Sequence, residues 1–119
     1  LFRSPMMGKA ITNLNAYTAK GFSSLLQMNA KEAQRLTPQN CIRCARCVEA
    51  CPMGLEPYLL SLLSKQNRLE DCEKEQIMSC IECGSCQFTC PSFRPLLDYI
   101  RLGKNRTGGM IRARMQQNK

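Results

Sequence analysis

The chain has no tryptophan, no histidine and only seven aromatic residues. A chain of 119 residues can bury a modest core, but with so few large rings it needs a second source of stability. The missing histidine excludes zinc sites that mix imidazole with thiolate. No run approaches the roughly 18 apolar residues that span a bilayer, so a transmembrane helix is excluded, and the first residues do not resemble a secretory leader. Because the first residue is Leu, the chain is expected to begin partway through a larger protein. Acidic residues are scarce towards the other end. From Ser92 onward Asp98 stands alone against Arg94, Arg101, Lys104, Arg106, Arg112, Arg114 and Lys119, so most of the formal net charge of +8 lies there. Rings are missing from that stretch after Tyr99, which removes the interleaving of aromatics and cations that single-stranded nucleic acid favours.

What the chain has in excess is cysteine, nine residues in all. Disulfides in an oxidising compartment and metal ligation in a reducing one are the two ordinary explanations. The odd count argues against disulfides. So do the minimal spacings, since such short loops constrain the unfolded chain little.

Cys41, Cys44, Cys47, Cys51 and Pro52 recur as Cys80, Cys83, Cys86, Cys90 and Pro91, each shifted by 39 residues, and Ile42 recurs as Ile81. Cys-x2-Cys-x2-Cys-x3-Cys-Pro is the spacing of bacterial-type [4Fe-4S] binding, in which the fourth cysteine ligates the other cluster. A tight loop with a ligand at every third position wraps three corners of a cubane. The fourth cysteine, about 6 Å further along a helix axis, projects away from it. The expected ligand sets are therefore Cys41, Cys44, Cys47 and Cys90 for cluster I, and Cys80, Cys83, Cys86 and Cys51 for cluster II. This bridging would hold the clusters about a dozen ångströms apart, close enough to exchange electrons. The closing prolines have no N–H and a fixed φ, which suits a chain turning away from a metal. Zinc is the competing reading, but a four-thiolate zinc site needs two Cys-x-x-Cys pairs and would leave thiols unused in each half. Cys72 falls outside both motifs and is expected to be a small core residue. Met6, Met7, Met53 and Met78 are likewise expected to pack rather than ligate.

The elements around the clusters are expected to be helical. Residues 1–37 read as strand and loop punctuated by Ser4-Pro5, Gly8 and Lys20-Gly21, followed by a short helix from Ala30 to Leu36, with Asn29 and Glu32 as a capping pair. Pro57 suits the first turn of a helix with Leu59, Leu60, Leu62 and Leu63 apolar. A second helix is expected over about 69–78, its acidic residues 70–75 near the positive end of the helix dipole. Pro95 opens a third, ending near Gly103, after which residues 104–119 read as a basic, flexible tail. The dicluster domain thus occupies 38–103 and the fold is mainly α. Arg43 and Arg46 lie in the first loop where the second has Glu82 and Ser85. Cations near a cluster favour its reduced state, so cluster I is expected to have the higher potential unless both arginines simply face solvent.

CIRCARCVEACPMGLEP, MSCIECGSCQFTCPS and RPLLDYIRLGK, with PMMGKAI near the start, resemble the C-terminal, ferredoxin-like region of the C subunit of the Rnf electron transport complex, a membrane-associated ion-translocating ferredoxin:NAD+ oxidoreductase. The sequence departs from the family at Phe22 and Ser24. The resemblance implies a helical ferredoxin-like fold and an electron-transfer module with two [4Fe-4S] clusters. It further implies peripheral attachment at the cytoplasmic face of the bacterial inner membrane, with other subunits of the redox complex as partners. FMN and NADH are expected only in an upstream region of the same chain, so no catalytic substrate site is assigned here. The basic tail could meet an acidic partner or anionic lipid, and nucleic acid is not expected as a partner. The alternatives are a ferredoxin-like subunit of another oxidoreductase, of heterodisulfide-reductase or glycerol-3-phosphate dehydrogenase type, and a structural or interaction module braced by clusters or zinc.

Overall fold

The structure, a computed structural model, describes Asn13, Asn15, Tyr17, Lys20 and residues 24–117. Contacts between backbone segments divide the chain into two units, Leu1–Leu36 and Thr37–Lys119. In the first, helix α1 spans Ala30–Ala33, closed by the Ala33 N–H on the Asn29 carbonyl at 3.0 Å. The expected helix stops here short of Leu36, whose side chain is exposed. A single turn with no buried face does not propagate, and Pro38 disfavours helical geometry in the residue before it. The turns expected before Ser24, at Ser4-Pro5, Gly8 and Gly21, and the Glu32 half of the capping pair lie outside the described residues and side chains.

The second unit is helical throughout its regular structure. Helices α2 (Arg46–Glu49) and α5 (Ser85–Phe88) are single turns within the cysteine loops. Helix α3 (Pro57–Lys65) begins on its proline as expected. Helix α4 (Leu69–Lys74) is shorter than expected, because Gln76 is left-handed at φ 55° and the chain continues as a 3₁₀ turn over Ile77–Ser79. That kink turns Ile77 fully into the core beside the equally buried Cys72.

Helix α6 runs from Leu96 to Gln117, a correction to the expected stop near Gly103 and to the flexible tail after it. Gly103 is not a terminator. A Cβ there would collide with the Ser64 hydroxyl and stand 2.7 Å from Ser64 Cβ, so glycine is what lets α6 lie directly on α3. The same contact explains which face of α3 is buried. Leu60 and Leu63 are inside, but so are Ser61 and Ser64, while Leu62 is exposed. The buried hydroxyls stay satisfied: Ser61 donates to the Tyr58 carbonyl at 3.2 Å, and Ser64 Oγ lies 3.7 Å from Cys72 Sγ.

The cations of α6 are largely tied to their own fold. Arg106 donates to Asn67, Arg114 pairs with Glu73, and Arg101 and Lys104 both reach Glu82. Among the described residues no helix is long and apolar enough to cross a membrane.

Candidate metal centres

The sequence repeat extends to the backbone. In the first loop Arg43 and Ala45 are left-handed at φ 54° and 61°; 39 residues later Glu82 and Gly84 are left-handed at 58° and 83°. Gly54 and Phe93, at 64° and 51°, continue the correspondence beyond the prolines. Four non-glycine side chains thus hold a conformation that ordinarily costs about 1 kcal/mol or more, in register with the cysteines. Strain shared by two loops of different side chains belongs to the winding of the loop itself.

The short helices repeat as well. Val48 N–H bonds to the Ala45 carbonyl at 2.8 Å and Gln87 N–H to that of Gly84 at 3.0 Å; Gly54 to Cys51 and Phe93 to Cys90 are both 3.1 Å. Each turn carries its fourth cysteine out of its own loop and towards the other half. As a result the eight motif thiols divide between two cavities. Cys41, Cys44, Cys47 and Cys90 line the first, with Ile42, Arg43, Tyr58 and Arg94, and its volume is about 320 Å³. Cys51, Cys80, Cys83 and Cys86 line the second, with Leu55, Leu60, Leu97 and Ile100, and its volume is about 20 Å³.

The two differ in environment. Cys41 and Cys44 are exposed, whereas Cys86 is buried. Burial pushes the Cys86 thiol up to about 11, with the neighbouring Cys80 adding to the shift, and burial likewise raises Cys47 and Cys80. Cys83 moves the other way because the Ser85 side chain hydrogen-bonds its sulfur at 3.4 Å. The Leu55 N–H donates to Cys51 Sγ at 3.4 Å.

Both donor sets are all-thiol, the soft set that suits iron–sulfur centres. Among the described residues no three cysteine or carboxylate side chains converge closely enough to hold one ion. The sulfurs stand around spaces instead. The second space, about 20 Å³, has room for about one water molecule, so a cluster held there would require its walls to part. Cys72 belongs to neither cavity and is fully buried in the core. Sequence reasoning missed the left-handed residues, for which Gly84 was the visible sign, and it missed Arg101 and Lys104 behind the second loop.

Residues 33–91 match the family described as the 4Fe-4S dicluster domain. The chain is 36% identical over 102 residues to the C subunit of an ion-translocating oxidoreductase complex of Buchnera aphidicola, covering 85% of this chain and 22% of that protein. It is 41% identical over 108 residues to the C subunit of the proton-translocating ferredoxin:NAD(+) oxidoreductase complex of Clostridium ljungdahlii, covering 88% and 24%. With the C subunit of the Na(+)-translocating complex of Acetobacterium woodii it shares 40% identity over 100 residues, covering 84% and 23%. The chain thus spans less than a quarter of the length of these relatives.

Proposed function

We propose that this chain, whose residues 33–91 match the family described as the 4Fe-4S dicluster domain, relays single electrons through two [4Fe-4S] clusters as part of the C subunit of an ion-translocating ferredoxin:NAD+ oxidoreductase complex. The observation that carries this reading is the division of eight thiols into two four-thiol cavities, each taking three from one loop and one from the other half. Cys41, Cys44, Cys47 and Cys90 hold cluster I; Cys80, Cys83, Cys86 and Cys51 hold cluster II. When bound, each cluster supplies reversible one-electron exchange.

The chain's own residues do the rest. The left-handed residues wind both loops in the same way around their cysteines. The Leu55 N–H stabilises negative charge on Cys51. Leu55, Leu60, Leu97 and Ile100 keep water from the second site. Helices α3 and α6, locked at Gly103, fix the two loops relative to each other. The partners in this reading are the other members of a membrane-bound complex, with this chain peripheral at the cytoplasmic face. Hydride chemistry with NADH and FMN is assigned to parts of the protein outside this chain.

Anaerobic reconstitution tests the reading. It predicts about eight iron per chain and two centres that each take up one electron reversibly. One or two metal ions per chain, with zinc among them, would overturn it.

A further inference from the structure

Glu82 precedes Cys83 in the second loop, and its carboxylate faces α6. Arg101 Nε meets one oxygen at 3.0 Å and Lys104 Nζ meets the other at 3.3 Å. Lys104 Nζ also donates to the Cys80 carbonyl at 2.6 Å. Two cations thus stand beside Cys80 and Cys83 with Glu82 between them, and Asp98 lies one turn before Arg101 on α6. The side chains of Arg101, Lys104 and Glu82 are 27%, 23% and 25% exposed, so their fields are screened less than those of surface charges. Arg43 and Arg46 of the first loop are exposed, and salt screens them effectively; the half-buried Arg94 also lines the first cavity. The anion of the second loop, Glu82, is met by two cations 19 and 22 positions further along the chain.

We propose that Lys104 and Arg101 raise the reduction potential of the centre held by Cys51, Cys80, Cys83 and Cys86 above the value that Glu82 beside the loop would otherwise give it. Reduction adds one electron and one negative charge to a centre, and a fixed cation nearby favours that state. The Leu55 N–H on Cys51 Sγ acts in the same sense. This inference rests on the two-cluster reading above.

The test uses the full chain, anaerobically reconstituted as wild type, Lys104→Met and Glu82→Gln. Iron is counted first, and both midpoints are then followed by EPR during titration with dithionite. Cys41→Ser, which removes a ligand of the first centre, identifies which midpoint is which. Lys104→Met is expected to lower the second centre's midpoint and Glu82→Gln to raise it, with the first centre unmoved. A purely mechanical clamp would give shifts of the same sign in both variants. That outcome, or no shift at all, overturns the proposal. Should Lys104→Met not load iron, Arg101→Gln carries the same charge change and the same expectation. A wild type that binds no clusters defeats the underlying reading; clusters intact with midpoints unmoved defeat this inference alone.

Discussion

Thr107 on α6 is fully buried, and its hydroxyl has no hydrogen-bond partner among the described residues. An unpaired buried hydroxyl costs about 1–3 kcal/mol, and valine keeps nearly the same shape without it. Thr107→Val is therefore expected to raise the thermal midpoint of the reconstituted chain, as read by circular dichroism; a lowered midpoint would mean that the hydroxyl is satisfied. Single residues were legible where their chemistry is unusual. The eight motif cysteines stand out by spacing alone, and Cys72 stands out by being off the pattern. Arg43, Ala45, Glu82 and Phe93 were not legible as left-handed, because nothing in an Arg or a Phe signals positive φ. Only their alignment, at an offset of 39, with partners that include Gly84 and Gly54 hints at it.

Between elements, the packing of α6 on α3 depends on what is missing from Gly103. Gly103→Ala forces a methyl into Ser64, and overpacking of this kind costs about 1–3 kcal/mol. Gly109, six residues further along α6, has open space where a methyl would stand, with nothing within 4 Å, so Gly109→Ala should instead stabilise by about 0.5–1 kcal/mol through helix propensity. Urea unfolding of the two variants checks the opposite signs; equal effects would show that helix propensity, not contact with α3, governs both sites. Helix starts at Pro57 and near Pro95 were readable because proline has a mechanical preference for first turns. The end of α6 was not. Glycine near a helix end is ordinarily a stop signal, and its other use, close approach, requires knowing that Ser64 lies opposite. For the same reason leucine content gave the wrong face to part of α3, where Leu62 is outside and two serines are inside.

Across the whole chain from Thr37 onward, a duplicated loop and turn has become two unlike sites. The first cavity is rimmed by exposed thiols and arginines, and the second is enclosed by leucine and isoleucine side chains and backed by α6. The duplication was visible in the sequence; the asymmetry was not, because it comes from contacts such as Lys104 with Cys80, 24 residues apart. In the proposed function the exchange of the fourth cysteine joins the halves, and the two-centre relay depends on it. The EPR spectrum of reduced Cys51→Ser, set beside that of Cys41→Ser, decides whether the exchange occurs. With the exchange, Cys51→Ser alters or loses the signal that Cys41→Ser retains, and keeps the one that Cys41→Ser loses. If both substitutions abolish the same signal and spare the same other one, Cys51 serves its own loop and the exchange does not exist.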